Sequence, residues 1–119
     1  MQPAKYDIKI KQGAAYTPSA FVFSDSLGPI NLTGCVGKAQ IRTLGDSVVI
    51  AEFTVTITPL TGSIQLYLSD ESTALIPCTG TMFKDKAQYS WDLLITPPSG
   101  DAYFILEGVV YVTPRATIS

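Results

Sequence analysis

Apolar and polar residues alternate along most of this chain, and the longest stretch of alternation lies at residues 87–114. Tyr89, Trp91, Leu93 and Ile95 share one parity, Gln88, Ser90, Asp92 and Thr96 the other, and Leu94 is the apolar exception. A two-residue period puts alternate side chains on opposite faces, so this segment predicts a half-buried β-strand. Pro97, Pro98, Ser99 and Gly100 break the pattern, because prolines donate no backbone hydrogen bond and glycine accepts the φ angles of a reversal. Alternation then resumes, with Phe104, Leu106, Val110 and Val112 on one face and Tyr103, Glu107 and Tyr111 on the other beside Ile105 and Val109. The two halves predict a C-terminal hairpin.

Upstream the same period recurs in shorter runs. Tyr6, Ile8 and Ile10 alternate with Lys5, Asp7, Lys9 and Lys11, a strand whose charged face suits a sheet edge, where lysines discourage pairing with other chains. Phe21 and Phe23 mark a second short strand, and residues 24–29 are dense in turn formers. Residues 35–43 place Cys35, Gly37, Ala39 and Ile41 on one face. These small inward residues leave room, which is expected to be filled by an aromatic from a facing sheet, Trp91 first among them. After a turn at Gly45 and Asp46, residues 48–58 form a fourth strand with Phe53, Val55 and Ile57 inward, stopped by Pro59. A fifth alternates Ile64, Leu66 and Leu68 with Gln65, Tyr67 and Ser69. Ser69 or Asp70 can cap a helix, acidic residues favour its first turn, and Pro77 forbids continuation, so residues 69–77 predict one short helix. Residues 79–86 are a polar connection to the hairpin. Seven short strands separated by turn signals predict an all-β sandwich or barrel.

Composition narrows the functional classes. Apolar residues make up 46% of the 119-residue chain and charged residues 15%, against roughly 25% charged in soluble domains. So uncharged a surface suits burial against neighbours and hints at an assembly component, although a threonine-rich β protein reads the same way. A net charge of −2 argues against nucleic acid as a partner, since phosphate binding needs clustered Lys and Arg. No apolar run is long enough for a membrane-spanning helix, and the N-terminus lacks the apolar core of a signal peptide. Synthesis and retention in the cytoplasm, or export within something larger, is the expectation.

The inventory of reactive groups is sparse. Histidine is absent, which excludes Ser-His-Asp and Cys-His arrangements. Cys35 and Cys78 make a poor metal site without histidine; buried thiols are the default in a reducing compartment, with a disulfide the alternative. Asp70 and Glu71 read as helix N-terminal charges rather than a catalytic pair. Asp25, Asp46, Asp85 and Asp101 read as turn residues, without the convergence calcium needs. No cofactor loop is present, so no catalytic, metal or cofactor residue is assigned. A hydrolase would have to use Asp92 or Glu107. Trp91 is either a core residue in phase with Leu93 and Ile95 or an exposed platform for a sugar ring. Tyr67, Tyr103 and Tyr111 are the candidate interface residues, because exposed tyrosines are enriched at protein contacts.

Four segments in order carry a resemblance: LGPINLTG (27–34) with AQIRT (39–43), GSIQLYLSDESTALIP (62–77), YSWDLLITPPSG (89–100), and LEGVVYVTP (106–114). Together they resemble small Ig-like β-sandwich domains of tailed bacteriophages, including the N-terminal domain of baseplate upper proteins and short stand-alone virion proteins. The resemblance implies one Ig-like antiparallel β-sandwich over residues 1–119, with about seven strands and one short helix. Leu32, Thr33 and Gly34 match the approach to the third strand, residues 69–77 a helix that bridges the sheets, and Gly108 a position of close packing or a bulge. It further implies a non-enzymatic structural component of a virion, assembled in the bacterial host cytoplasm as part of a baseplate, tail, connector or decoration layer. Its partners would be other phage structural proteins and further copies of itself. Baseplate relatives continue into a shaft and receptor-binding module where this chain stops at Ser119, which favours an adaptor, connector or decoration role. The alternative is a carbohydrate-binding or adhesive Ig-like module.

Overall fold

A computed structural model describes residues 3–25, 28–45, 47–78, 87–98 and 100–114. The predicted connection at 79–86, with Asp85, lies outside them, as do Asp46, Ser99 and the tip of the 24–29 turn. The strands are β1 (Ala4–Lys5), β2 (Ile8–Lys11), β3 (Phe21–Val22), β4 (Ser24–Asp25), β5 (Gly28–Pro29), β6 (Val36–Arg42), β7 (Val49–Thr58), β8 (Ser63–Tyr67), β9 (Ala87–Thr96) and β10 (Tyr103–Thr113). One α-helix, α1 (Asp70–Ala74), follows β8.

Eight of these strands form one curled sheet in the order β1-β10-β9-β6-β7-β8-β3, with β2 also on β10, and β4 pairs with β5 apart from it. It folds into a sandwich because β7 serves both layers. Its first half pairs with β6 up to Ala39 opposite Phe53, and its second half pairs with β8 from Thr54 opposite Tyr67 onward. The first layer is therefore β1/β2, β10, β9, β6 and the start of β7; the second is the end of β7, β8 and β3. Counting β1 and β2 as one interrupted strand and setting aside the small β4–β5 hairpin leaves seven principal strands. β3, β8 and the end of β7 are neighbours, as are β6, β9 and β10, which is the strand grouping of an Ig-like sandwich.

Between the layers lies one hydrophobic core. Ala39, Ile41, Ile64, Leu66, Leu93, Ile95, Val110 and Val112 are wholly buried, the inward halves of the alternating runs. Removing such side chains from water at roughly 25 cal/mol per Å² is the main force holding the layers together. The room above Gly37 is filled by aliphatic side chains of the second layer rather than by an aromatic: a Cβ there would stand 2.7 Å from Val55 Cγ1 and 3.4 Å from Ile57 Cδ1. Trp91 does not come from a facing sheet. It sits on β9 directly beside Ile41 in the same layer, 3% exposed, with Phe53 edge-on at 6.0 Å.

Local hydrogen bonds fix the connection from β8 towards β9. Ser69 caps α1, its Oγ accepting from Ser72 N at 3.1 Å. Near the start of β9, the Tyr89 hydroxyl donates to the Pro77 carbonyl upstream, tying the strand to the segment after the helix. Buried Thr73 receives Gly13 N at 3.1 Å and donates to Ala14 O at 2.9 Å, which pins α1 to the chain leaving β2.

Several expectations need correction. The N-terminal strand is broken at Tyr6 and Asp7 and runs parallel to β10, and Tyr6, at the break, is exposed rather than buried like Ile8 and Ile10, with its ring against Phe21 of the second layer at 4.9 Å. A register shift between Phe104 and Leu106 makes Ile105 and Leu106 both buried and sends Phe104 outward. That is a β-bulge, in which one extra residue reverses the phase of everything before it. Pro59 also starts a 3₁₀ turn, Pro59–Thr61, where only a stop is expected. Cys35 and Cys78 are half-buried and not joined in a disulfide. Among the described residues no helix is long and apolar enough to cross a membrane.

Candidate functional site

Because β6, β9 and β10 commit alternate side chains to the core, the others stand on the outer face of the first layer, which no described element covers. Strand register aligns them in rows. One row runs the full width of the layer: Lys5 opposite Glu107, Glu107 opposite Asp92, Asp92 opposite Gln40, Gln40 opposite Glu52. Lys5 and Glu107 form an ion pair. Gln40 Nε2 donates to Glu52 Oε1 at 3.0 Å, and Arg42 Nη2 donates to Gln40 Oε1 at 2.8 Å. A second row places Lys38 opposite Leu94 and Leu94 opposite Phe104.

These rows line two open depressions. One of about 400 Å³ is bounded by Lys38, Gln40, Arg42, Asp92, Leu94 and Phe104. The other, of about 380 Å³, shares Asp92 and reaches Lys5, Asp7 and Glu107. Asp92 lies between them. Partial burial lifts its carboxyl above the ordinary 3.8, nearby Arg42 draws it back down, and the Glu107 charge pushes it further up. Asp92 and Glu107, one or the other of which a hydrolase would have to use, are thus brought side by side. Glu107 is engaged by Lys5, and the pair lies on an open face rather than in a closed cleft.

The N-terminal strand is fitted to this face by a close joint. At Gly108 an added Cβ would lie 2.0 Å from the Tyr6 carbonyl oxygen, so the strand reaches this position only because a glycine is there. Trp91 Nε1 donates to the same oxygen at 2.8 Å, Tyr6 N donates to Glu107 O at 2.9 Å, and Val109 N donates to Asp7 Oδ1 at 3.1 Å. The close packing expected at Gly108 is what the geometry has. The joint also settles which reading of Trp91 holds: the indole is a core residue with its N–H satisfied internally.

The predicted interface tyrosines are not brought together. Tyr67 lies exposed on β8 of the second layer, whereas Tyr111 lies on β10 between Lys9 and Gln88. Tyr103 is half-buried against the core and stands about 26 Å from Tyr111 along the strand at roughly 3.3 Å per residue. Sequence reasoning overlooked Phe104, Leu94, Gln40 and Glu52. The outward parity of Leu94, Gln40 and Glu52 was visible, that of Phe104 was reversed by the bulge, and the alignment of all four into rows depends on long-range register. Among the described residues, no group of three or more His, Cys, Asp or Glu side chains is placed to hold a metal ion.

No protein-family profile matches the chain, and no curated protein matches it in sequence. Solved structures similar in fold include murine CRIg, at 12% identity over 92% of this chain and 92% of that one, with a TM-score of 0.42. The fold assignment stands on the strand order and register described above.

Proposed function

We propose that this chain is a non-enzymatic structural component of a tailed-bacteriophage particle, working as an adaptor, connector or decoration protein that docks neighbouring virion proteins on the outer face of its first layer. The observation that supports this reading is an uncovered sheet face that combines an apolar strip with fixed charges. Phe104 is 44% exposed beside Leu94, and the Lys5–Glu107–Asp92–Gln40–Glu52 row lies next to them. Protein contacts use that composition, an aromatic or aliphatic centre edged by polar groups that fix register. The sequence resemblance supplies the setting, and the low overall charge agrees with a surface destined for burial. Such a component acts by shape and register, with the particle as its site of residence.

A carbohydrate-binding role loses its leading platform, since Trp91 is buried with its N–H satisfied. The test of the proposal is mass spectrometry of particles purified from cells in which the chain is made during phage production. Recovery of the chain at a fixed ratio to the other virion proteins is the expected result. Its absence from particles that are otherwise complete would remove the proposal.

A further inference from the structure

The first layer ends on two strand edges, and they differ. On one side β1 and β2 pair only with β10. On the other, Val49 to Phe53 of β7 pair with β6, while β8 joins β7 only from Thr54 onward. Among the described residues no strand lies beside either outer edge. An edge strand presents a row of backbone donors and acceptors and is a template for another strand.

The two edges carry opposite charge. The N-terminal edge bears exposed Lys5, Lys9 and Lys11 against one carboxylate, Asp7, which accepts from Val109 N, and Lys5 is also paired with Glu107. The β7 edge is apolar except for exposed Glu52. Two N-terminal edges therefore repel each other, two β7 edges set carboxylate near carboxylate, and only the unlike combination pairs opposite charges. The row across the outer face has the same polarity, beginning with Lys5 and ending with Glu52. A lysine of a following copy set beside Glu52 would continue the row across the junction.

Strand direction permits this joint. β1 and β2 run parallel to β10, and β10, β9, β6 and β7 are successively antiparallel. The first half of β7 is therefore antiparallel to the N-terminal strand, and a β7 edge meeting the N-terminal edge of a similarly oriented copy forms an antiparallel ladder. We infer that copies of this chain associate head to tail, the Val49 to Phe53 edge of one copy pairing with the N-terminal strand of the next. Each copy uses both edges once, so the contact is heterologous and builds a ring or a filament rather than a two-fold dimer. The inference goes beyond the docking reading above, since it uses the strand edges rather than the outer face, and its partner is a second copy.

The test is light scattering of the full-length protein across a concentration series, on wild type, Glu52→Lys, and the double variant Lys9→Glu with Lys11→Glu. Wild type should grow past a dimer, and each variant should weaken association about tenfold or more. An equimolar mixture of the two variants should recover it, because their altered edges are again unlike. Circular dichroism checks that each variant is folded, and all three positions are exposed. Zero-length carbodiimide coupling of wild type should yield an intermolecular peptide joining Glu52 to Lys5, Lys9 or Lys11. A wild type that stays monomeric, one that stops at a dimer, or variants that associate as wild type does would each overturn the inference. Recovery of a strictly monomeric chain in purified particles would sink the edge joint and leave the docking proposal standing. Association in solution with absence from particles would do the reverse.

Discussion

Neighbouring residues on β9 have opposite fates. Trp91, Leu93 and Ile95 are buried, while Asp92 and Leu94, between them in sequence, line an open depression on the outer face. The same contrast holds on β6, where Ala39 and Ile41 are buried beside outward Lys38, Gln40 and Arg42. One set of strands thus carries two independent surfaces, because a pleated backbone sends consecutive side chains to opposite sides. The inner surface is closed by contacts within the chain. The outer one has its side chains arranged but no described element above them. Changes one residue apart should therefore separate folding from docking.

The largest expected effect is on the inner side. Leu93→Ala opens a cavity at a wholly buried site and should cost about 3 kcal/mol in denaturant unfolding. Gly108→Ala forces a methyl group against the Tyr6 carbonyl and should cost roughly 2 kcal/mol as the N-terminal strand shifts off β10. Faster hydrogen exchange confined to residues 4–11 would locate that shift. Trp91→Phe keeps most of the ring volume but leaves the Tyr6 oxygen without its indole donor, at about 1–2 kcal/mol.

On the outer side the effects should be small and of another kind. Phe104→Ser should change stability by less than about 0.5 kcal/mol. A larger loss would show that the outer face holds up the fold and would break the comparison. Asp92 gives a pH signature. Its folded carboxyl titrates above its unfolded value, chiefly through burial, so the folded state holds a proton that the unfolded chain releases. The resulting stabilisation is full below the unfolded pKa and is lost as pH rises through the folded one. Asp92→Asn should remove that contribution, so the stability of wild type minus that of the variant should decline with rising pH across the carboxylate range. A difference that rises instead would mean that Arg42 outweighs burial.

The parts of this architecture that alternate strictly were legible in the sequence. β9, β8 and the Ser69 cap are fixed by side chains within a few residues of one another, and their inward faces match the periodicity. What stayed hidden depends on distant partners. Phe104 points outward because of a bulge beside two adjacent apolar residues, Ile105 and Leu106, and alternation cannot say which of the two restarts the phase. The parallel pairing of the N-terminal strand depends on the close approach at Gly108 and on contacts far apart in sequence: Trp91 meets Tyr6 across 85 residues and Val109 meets Asp7 across 102. Trp91 was expected across the sandwich and lies beside Ile41 instead, since periodicity gives a face but not a neighbour. For the same reason the outer row could be read only as scattered polar residues until register joined them.

The most direct test of the account compares particles made with wild type and with a Phe104→Ser, Asp92→Ala chain, after confirming that both proteins unfold at the same denaturant concentration. The account predicts that wild type is incorporated at a fixed copy ratio while the outer-face variant, equally stable, is lost from purified particles. Incorporation of both at the same ratio would contradict it.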